Sequence, residues 1–168
     1  MLKANLMLGL TYMLLGFFGI SWGSVDKKID REFPDVEFIS TDELAAQQQT
    51  GNSPVIIDVR EQEEFVVSHL QSALNLESGA AVAEQFPDKQ TPIVVYCSVG
   101  YRSAAVADEL TTLGYTNVRN LRHSIFAWAD QGLPLINAKG STDKVHPFNR
   151  IWGRLVDKDL HDYEAPDD

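Results

Sequence analysis

The stretch Thr91-Pro92-Ile93-Val94-Val95-Tyr96-Cys97-Ser98-Val99-Gly100-Tyr101-Arg102-Ser103 decides how the rest of the chain is read. Its apolar run, Ile93 to Tyr96, is rich in β-branched residues, the pattern of a parallel strand buried on both faces. Cys97, the one cysteine in the sequence, stands at the C-terminal end of that run. A six-residue loop, Cys97 to Arg102, follows, and then a helix is predicted from Arg102 to Leu113. Val106, Leu110 and Leu113 recur there at i, i+4 and i+7, and Gly114 supplies the stop. In open α/β sheets, ligands bind outside the carboxyl ends of the strands. The thiol is therefore expected at the mouth of a site and not in the core.

A thiol must ionise to act as a nucleophile, and three features of the loop favour the thiolate. The loop feeds a helix N-terminus, whose free N–H groups carry partial positive charge. It is short enough for the backbone N–H groups of Ser98, Val99, Gly100 and Tyr101 to converge as an anion-binding nest, with Gly100 supplying unusual torsions. Arg102 adds a permanent charge in a planar fork that suits an oxyanion. The residues thus point to a cradled Cys97 thiolate beside a pocket for an anionic sulfur or phosphorus substrate.

Cys97-Ser98-Val99-Gly100-Tyr101-Arg102 resembles the active loop of the rhodanese-like sulfurtransferases in its C-x-x-G-x-R form. Ile56-Ile57-Asp58-Val59-Arg60-Glu61 with Glu64-Phe65 resembles the family's D-V-R-x-x-x-E-[FY] segment, and Ser68 to Leu76 its G-H-I-x-G-A-x-N-[IL] segment. Leu113-Gly114-Tyr115 and Trp128 to Pro134 complete the order. The resemblance implies an α/β fold, rhodanese-like, with a mostly parallel central sheet and helices on both faces. The alternation of strand-like and helix-like segments points to the same class.

The resemblance also implies an activity. Cys97 would take the sulfane sulfur of thiosulfate or a similar small anionic donor, hold it as a persulfide, and pass it to a thiol or cyanide-like acceptor. Ser98 to Tyr101 and Arg102 would bind the donor. Asp58 and Arg60 would brace the loop from behind. No cofactor is called for, and no histidine has metal-ligand spacing. Related phosphatases and arsenate reductases use a longer C-x5-R loop, whereas four residues separate Cys97 from Arg102. The first alternative is a rhodanese-like module that binds a partner without catalysis, and the second a phosphatase or arsenate reductase. Where the family often has glycine before its last helix, this chain reads Leu121-Arg122-His123-Ser124-Ile125. Arg122 and His123 are therefore expected near the site mouth, tuning donor or acceptor choice.

The boundaries expected around this domain are a signal peptide or membrane anchor over 1–23, a linker over 24–35, the rhodanese-like domain over 36–136 and an extension over 137–168. From Ala4 to Val25 no residue is charged, Lys3 precedes that run, and Ser21 and Gly23 offer small residues for cleavage. Either outcome places the domain outside the cytoplasm, in a periplasmic setting. In the extension, Phe148, Ile151, Trp152 and Leu155 recur at helical spacing, as a clamp on the domain or as a docking segment. The full sequence has 168 residues and a net charge of −10. That size suits one domain with extensions, and that charge argues against nucleic acid as a partner.

Overall fold

The computed structural model describes residues 19–165. Its centre is a five-stranded parallel sheet in the order β1-β6-β5-β2-β4. The strands are β1 (Phe38–Ile39), β2 (Val55–Asp58), β4 (Leu74–Asn75), β5 (Ile93–Tyr96) and β6 (Val118–Leu121). β5 lies in the middle, and all four of its side chains are buried. Alternate residues feed opposite faces, as a period of two requires. Ile56, Val94, Tyr96 and Leu121 join one core, whereas Ile57, Ile93, Val95 and Cys97 join the other.

Helices cover both faces. The first core packs against α1 (Trp22–Glu32), α2 (Thr41–Gln49) and α6 (Ser124–Asp130). The second is closed by α4 (Gly79–Gln85) and α5 (Tyr101–Thr112). The short helix α3 (Gln62–Val67) follows β2. Ser40 opens α2 by accepting the Glu43 N–H at 3.1 Å. Gly114, with φ +92°, turns the chain out of α5.

Three features depart from expectation. Residues 24–35, read as a linker, hold most of α1. Val25 and Ile29 sit four apart on one face of α1, and both are buried against the sheet. Arg31, Glu32 and Lys28 are solvated on the other side, which is why the segment reads as polar. A small antiparallel sheet, β3 (His69–Leu70), β7 (Leu135–Asn137) and β8 (Gly140–Thr142), was not foreseen. The extension folds back on the domain as the clamp reading anticipates: Val145, Leu155 and Val156 are buried in the first core. Its helical spacing yields only 3-10 turns, at Trp152–Leu155 and Lys158–Leu160, and Ile151 faces solvent. The apolar segment assigned to a signal peptide or anchor falls largely outside the described residues. Among the described residues no helix is long and apolar enough to cross a membrane.

Candidate active site

β5 delivers Cys97 to the sheet's carboxyl edge, and the loop turns at Gly100 into α5. Gly100 adopts φ +102°, a region closed to most L side chains. That turn swings its N–H onto the Cys97 sulfur at 3.1 Å. Among the described residues no acceptor takes the N–H groups of Ser98, Val99, Tyr101, Arg102 or Ser103, the usual surplus of a helix's first turn. Of the loop's amides, the Gly100 N–H is the one that meets the sulfur.

The thiol is more enclosed than the sequence suggests. Cys97 is only 2% exposed. It sits on the floor of a cavity of about 180 Å³, lined by Ser98, Val99, Tyr101 and Arg102 below and by Phe148 and Trp152 above. The extension, not the rhodanese-like motifs, supplies that roof.

Arg102 is not a free cation awaiting an anion. Its two terminal nitrogens each donate to a Glu64 carboxylate oxygen at 2.8 Å, and Nη2 also reaches Ser98 Oγ at 3.0 Å. Three of its five N–H donors are thus engaged, leaving the Nε–H and one Nη1–H without a protein acceptor among the described residues. Ser98 Oγ in turn donates to Glu64 at 2.8 Å. Burial pushes the Glu64 carboxyl up, but hydrogen bonds and charge from Arg102, then Arg60, outweigh it and hold it below its usual range. Burial likewise works against the Arg102 cation, and Glu64 reverses the effect.

Behind the loop, Asp58 and Arg60 form a fully buried pair, with Nη2 to Oδ2 at 2.6 Å and Nε to Oδ1 at 2.9 Å. Arg60 Nη2 also donates to the Ser68 carbonyl at 2.7 Å. The guanidinium lies 5.7 Å from the ring centre of Tyr96, the residue before Cys97. The pair supports the strand end without reaching the cavity.

Further residues that the sequence did not assign fix the loop. Asn120 Nδ2 donates to the Gly100 carbonyl at 2.8 Å, which turns its oxygen to accept from Ser103 Oγ at 2.7 Å. Ser103 Oγ stands 3.5 Å from the Cys97 sulfur. Ser124 Oγ accepts the Cys97 N–H at 3.1 Å. The N–H groups of Ile125 and Phe126 hold the carbonyls of Cys97 and Ser98 at 3.2 and 3.1 Å. A buried polar residue within β6 (Asn120) and a serine one step past Arg102 were the only sequence signals for this lattice.

Arg122 and His123 do not line the cavity. Both meet Asp26 of α1 at 3.1 Å. His123 also packs on Trp22, and Arg122 on Phe38. Their expected place at the mouth is corrected by α1, which draws both side chains to itself. His69, read as a structural group, is one: its Nδ1 lies 3.0 Å from the Phe65 carbonyl.

Known proteins share this fold. The Rhodanese-like domain family matches residues 40–131, more than half of the chain. Thiosulfate sulfurtransferase PspE of Escherichia coli is 37% identical over 67 residues, which span 38% of this chain and 64% of that protein. A Sulfurtransferase of Allochromatium vinosum is 30% identical over 107 residues, 62% of this chain and 99% of that protein. A crystal structure of a rhodanese-like domain protein from Staphylococcus aureus superposes with TM-score 0.51 at 27% identity, over 58% of this chain and 96% of that one. Thiosulfate sulfurtransferase from Pseudomonas aeruginosa gives TM-score 0.60 at 20% identity, over 80% of this chain and 26% of that one, a likeness of fold. The parallel sheet, the loop carried on its central strand and the family match lead to one conclusion: this chain belongs to the rhodanese-like domain family.

Proposed function

We propose that the protein is a sulfurtransferase that carries sulfane sulfur on Cys97. The observation that carries this reading is the Gly100 N–H aimed at the Cys97 sulfur at 3.1 Å, on the floor of a small cavity. A thiolate so held attacks the outer sulfur of a donor such as thiosulfate. A new S–S bond forms to Cys97, the donor's own S–S bond breaks, and its electron pair departs on sulfite. The terminal persulfide sulfur then carries the negative charge, and the uncommitted N–H groups of the loop stabilise it. An acceptor nucleophile attacks that terminal sulfur, and Cys97 leaves as the thiolate, ready for another cycle. The free N–H groups of Arg102 hold the donor's oxygens while Glu64 and Ser98 fix the guanidinium in place.

The step starts from the thiolate form of Cys97, because the thiolate and not the thiol is the nucleophile. The shared donor set also disfavours a phosphatase: a loop with four residues between Cys97 and Arg102 suits one sulfur better than a tetrahedral phosphate. The presence of Cys97, Gly100 and Arg102 in working geometry speaks against a purely binding module.

Export from the cytoplasm belongs to the same proposal, on the strength of the uncharged run Ala4 to Val25. Fractionation of cells expressing the full chain tests it, and a cytoplasmic product would reject it.

For the chemistry, the parent is incubated with thiosulfate and weighed intact. A gain of about 32 Da on Cys97, one sulfur atom, together with sulfite release, is expected. Cys97→Ser abolishes both. A parent that gains no sulfur from thiosulfate or any other sulfane donor refutes the enzyme reading.

A further inference from the structure

We infer that Phe148 and Trp152 make the site selective for sulfur donors with a small apolar body, such as alkyl thiosulfonates, over inorganic thiosulfate. The inference rests on the sulfurtransferase reading of Cys97. Its own ground is the roof. Both side chains belong to the extension, beyond the family match that ends at residue 131, so they are this chain's addition to the common loop.

The roof is built and braced. Phe148 adopts φ +63°, a left-handed conformation that a bulky residue takes only when its surroundings impose it. Its N–H is held by His146 Nδ1 at 3.1 Å, and its ring packs over Arg102, with the guanidinium carbon 4.7 Å from the ring centre. Asn149 Oδ1 accepts the N–H groups of Ile151 and Trp152 at 2.9 and 3.1 Å, starting the 3-10 turn. Beneath that turn, Gly153 leaves no room for a methyl group: an added Cβ would lie 2.9 Å from Pro147 Cβ and 3.0 Å from His161 Cε1. The segment is anchored by paired backbone bonds from Val145, its N–H to Leu160 O at 2.8 Å and its carbonyl to Asp162 N at 3.1 Å.

Two consequences follow for a donor. First, Arg102 is already neutralised by Glu64, so the site offers loop N–H groups but little uncompensated positive charge. Stripping water from an ion costs free energy that rises with the square of its charge, and that cost must be met locally. A dianion such as thiosulfate is therefore poorly served, and a monoanionic thiosulfonate is better served. Second, the ceiling is aromatic, so an alkyl group attached to the donor's sulfonyl sulfur gains by leaving water. The volume of about 180 Å³ sets a limit of a few carbons. The chemistry is balanced. The Cys97 thiolate takes the sulfane sulfur of R–SO2–S⁻, the bond to the sulfonyl sulfur breaks, and the electron pair leaves on the sulfinate R–SO2⁻.

The test uses the whole protein with thiosulfate and with methane-, ethane-, propane- and benzenethiosulfonate. In a two-step exchange, the donor's kcat/KM reports the donor half-reaction alone. Rates with free cysteine correct for intrinsic reactivity. In the parent, corrected kcat/KM is expected to rise about fourfold per added methylene, the gain of burying one, until the cavity is full. Phe148→Ala and Trp152→Ala are expected to flatten that slope, while Trp152→Phe keeps it. A flat slope in the parent overturns the inference without any variant, and so does an unchanged slope in both alanine variants. Sulfur loading from thiosulfate alongside a flat slope rejects the selectivity and spares the sulfurtransferase. If no donor adds about 32 Da to Cys97, both fall together.

Discussion

Replacing Glu64 by leucine removes the counter-ion of Arg102 and leaves a guanidinium facing hydrocarbon. The carboxylate accepts two bonds from Arg102 and one from Ser98, all at 2.8 Å, and its side chain is 2% exposed against 32% for Arg102. Breaking a buried pair from one side costs about 3–5 kcal/mol. Water reaches the edge of Arg102, so the lower end applies, about 3 kcal/mol for Glu64→Leu. Arg102→Leu costs less, about 2 kcal/mol, because the stranded carboxyl can take up a proton and become neutral. Removing both partners leaves no orphaned charge. The double variant is expected to lose about 2 kcal/mol rather than the sum of the two, a coupling of about 3 kcal/mol. Urea unfolding with a common m-value measures all four proteins, and Glu64→Leu should melt about 6–12 °C below the parent. The acid limb gives an independent check. The folded carboxyl lies below its usual value of 4.5, so the unfolded chain binds the proton first. The pair's contribution is whole above that pH and is lost as pH falls towards the folded value, so parent and Glu64→Leu should converge in acid. Additive losses in the double variant, or a single-variant cost under about 0.5 kcal/mol, would refute the reasoning.

Two further outcomes are expected. Gly100→Ala meets no atom closer than 3.6 Å, so its penalty is torsional, about 1–2 kcal/mol; sulfur loading should fall much further than stability as the N–H leaves the Cys97 sulfur, and equal losses in unfolding and loading assays would contradict this. Burial holds the His146 imidazole below its usual 6.5, and its Nδ1 must stay bare to accept the Phe148 N–H; the unfolded chain therefore protonates first, stability drops as pH falls below about 6.5, and His146→Asn, whose oxygen can still accept, should lose that dependence in melting curves from pH 7 to 5.

The core of the fold was legible because its strands are uninterrupted and apolar. Ile93 to Tyr96 has no polar residue to confuse the period, and α5 has three turns of regular spacing. β3 and β8 were not legible: strands of two or three residues carry no measurable alternation. α1 was hidden for another reason. Only Val25 and Ile29 of α1 are buried, and over 24–35 three apolar residues, Val25, Ile29 and Phe33, among seven charges look like a linker. Missing α1 is also what misplaced Arg122 and His123, since Asp26 on that helix is the group both side chains meet. Glu64 was visible as a motif residue but not as the partner of Arg102, because a carboxylate on a six-residue helix reads as solvent-facing until α3 is docked beside the loop. The nucleophile and its glycine were readable, since the torsion at Gly100 and the site of Cys97 are local properties. The roof was not, because Phe148 reaches Arg102 across a separation that only the folded chain closes.

The strain stored beside the nucleophile explains why segments outside the family match are needed at all. His123 and Ser124 are consecutive non-glycine residues in the left-handed region, at φ +58° and +51°, where each costs about 1–2 kcal/mol. Glycine would be free of that cost, so something must hold this turn. Ser124 holds it from within, its hydroxyl donating to Leu121 O and accepting from Cys97 N, both at 3.1 Å. α1 holds it from outside, through Asp26 and Trp22 on His123. The same helix touches the loop twice more: Ile29 Cδ1 lies 3.7 Å from where a Gly100 Cβ would be, and Glu32 accepts the Tyr101 hydroxyl at 2.6 Å. The extension presses on the loop's other side through Phe148 and Trp152. A loop whose amides must converge on one sulfur cannot be left to its own torsions. Here a helix before the domain and a strap after it hold that loop between them, the helix gripping Tyr101 and His123 and the strap covering Arg102.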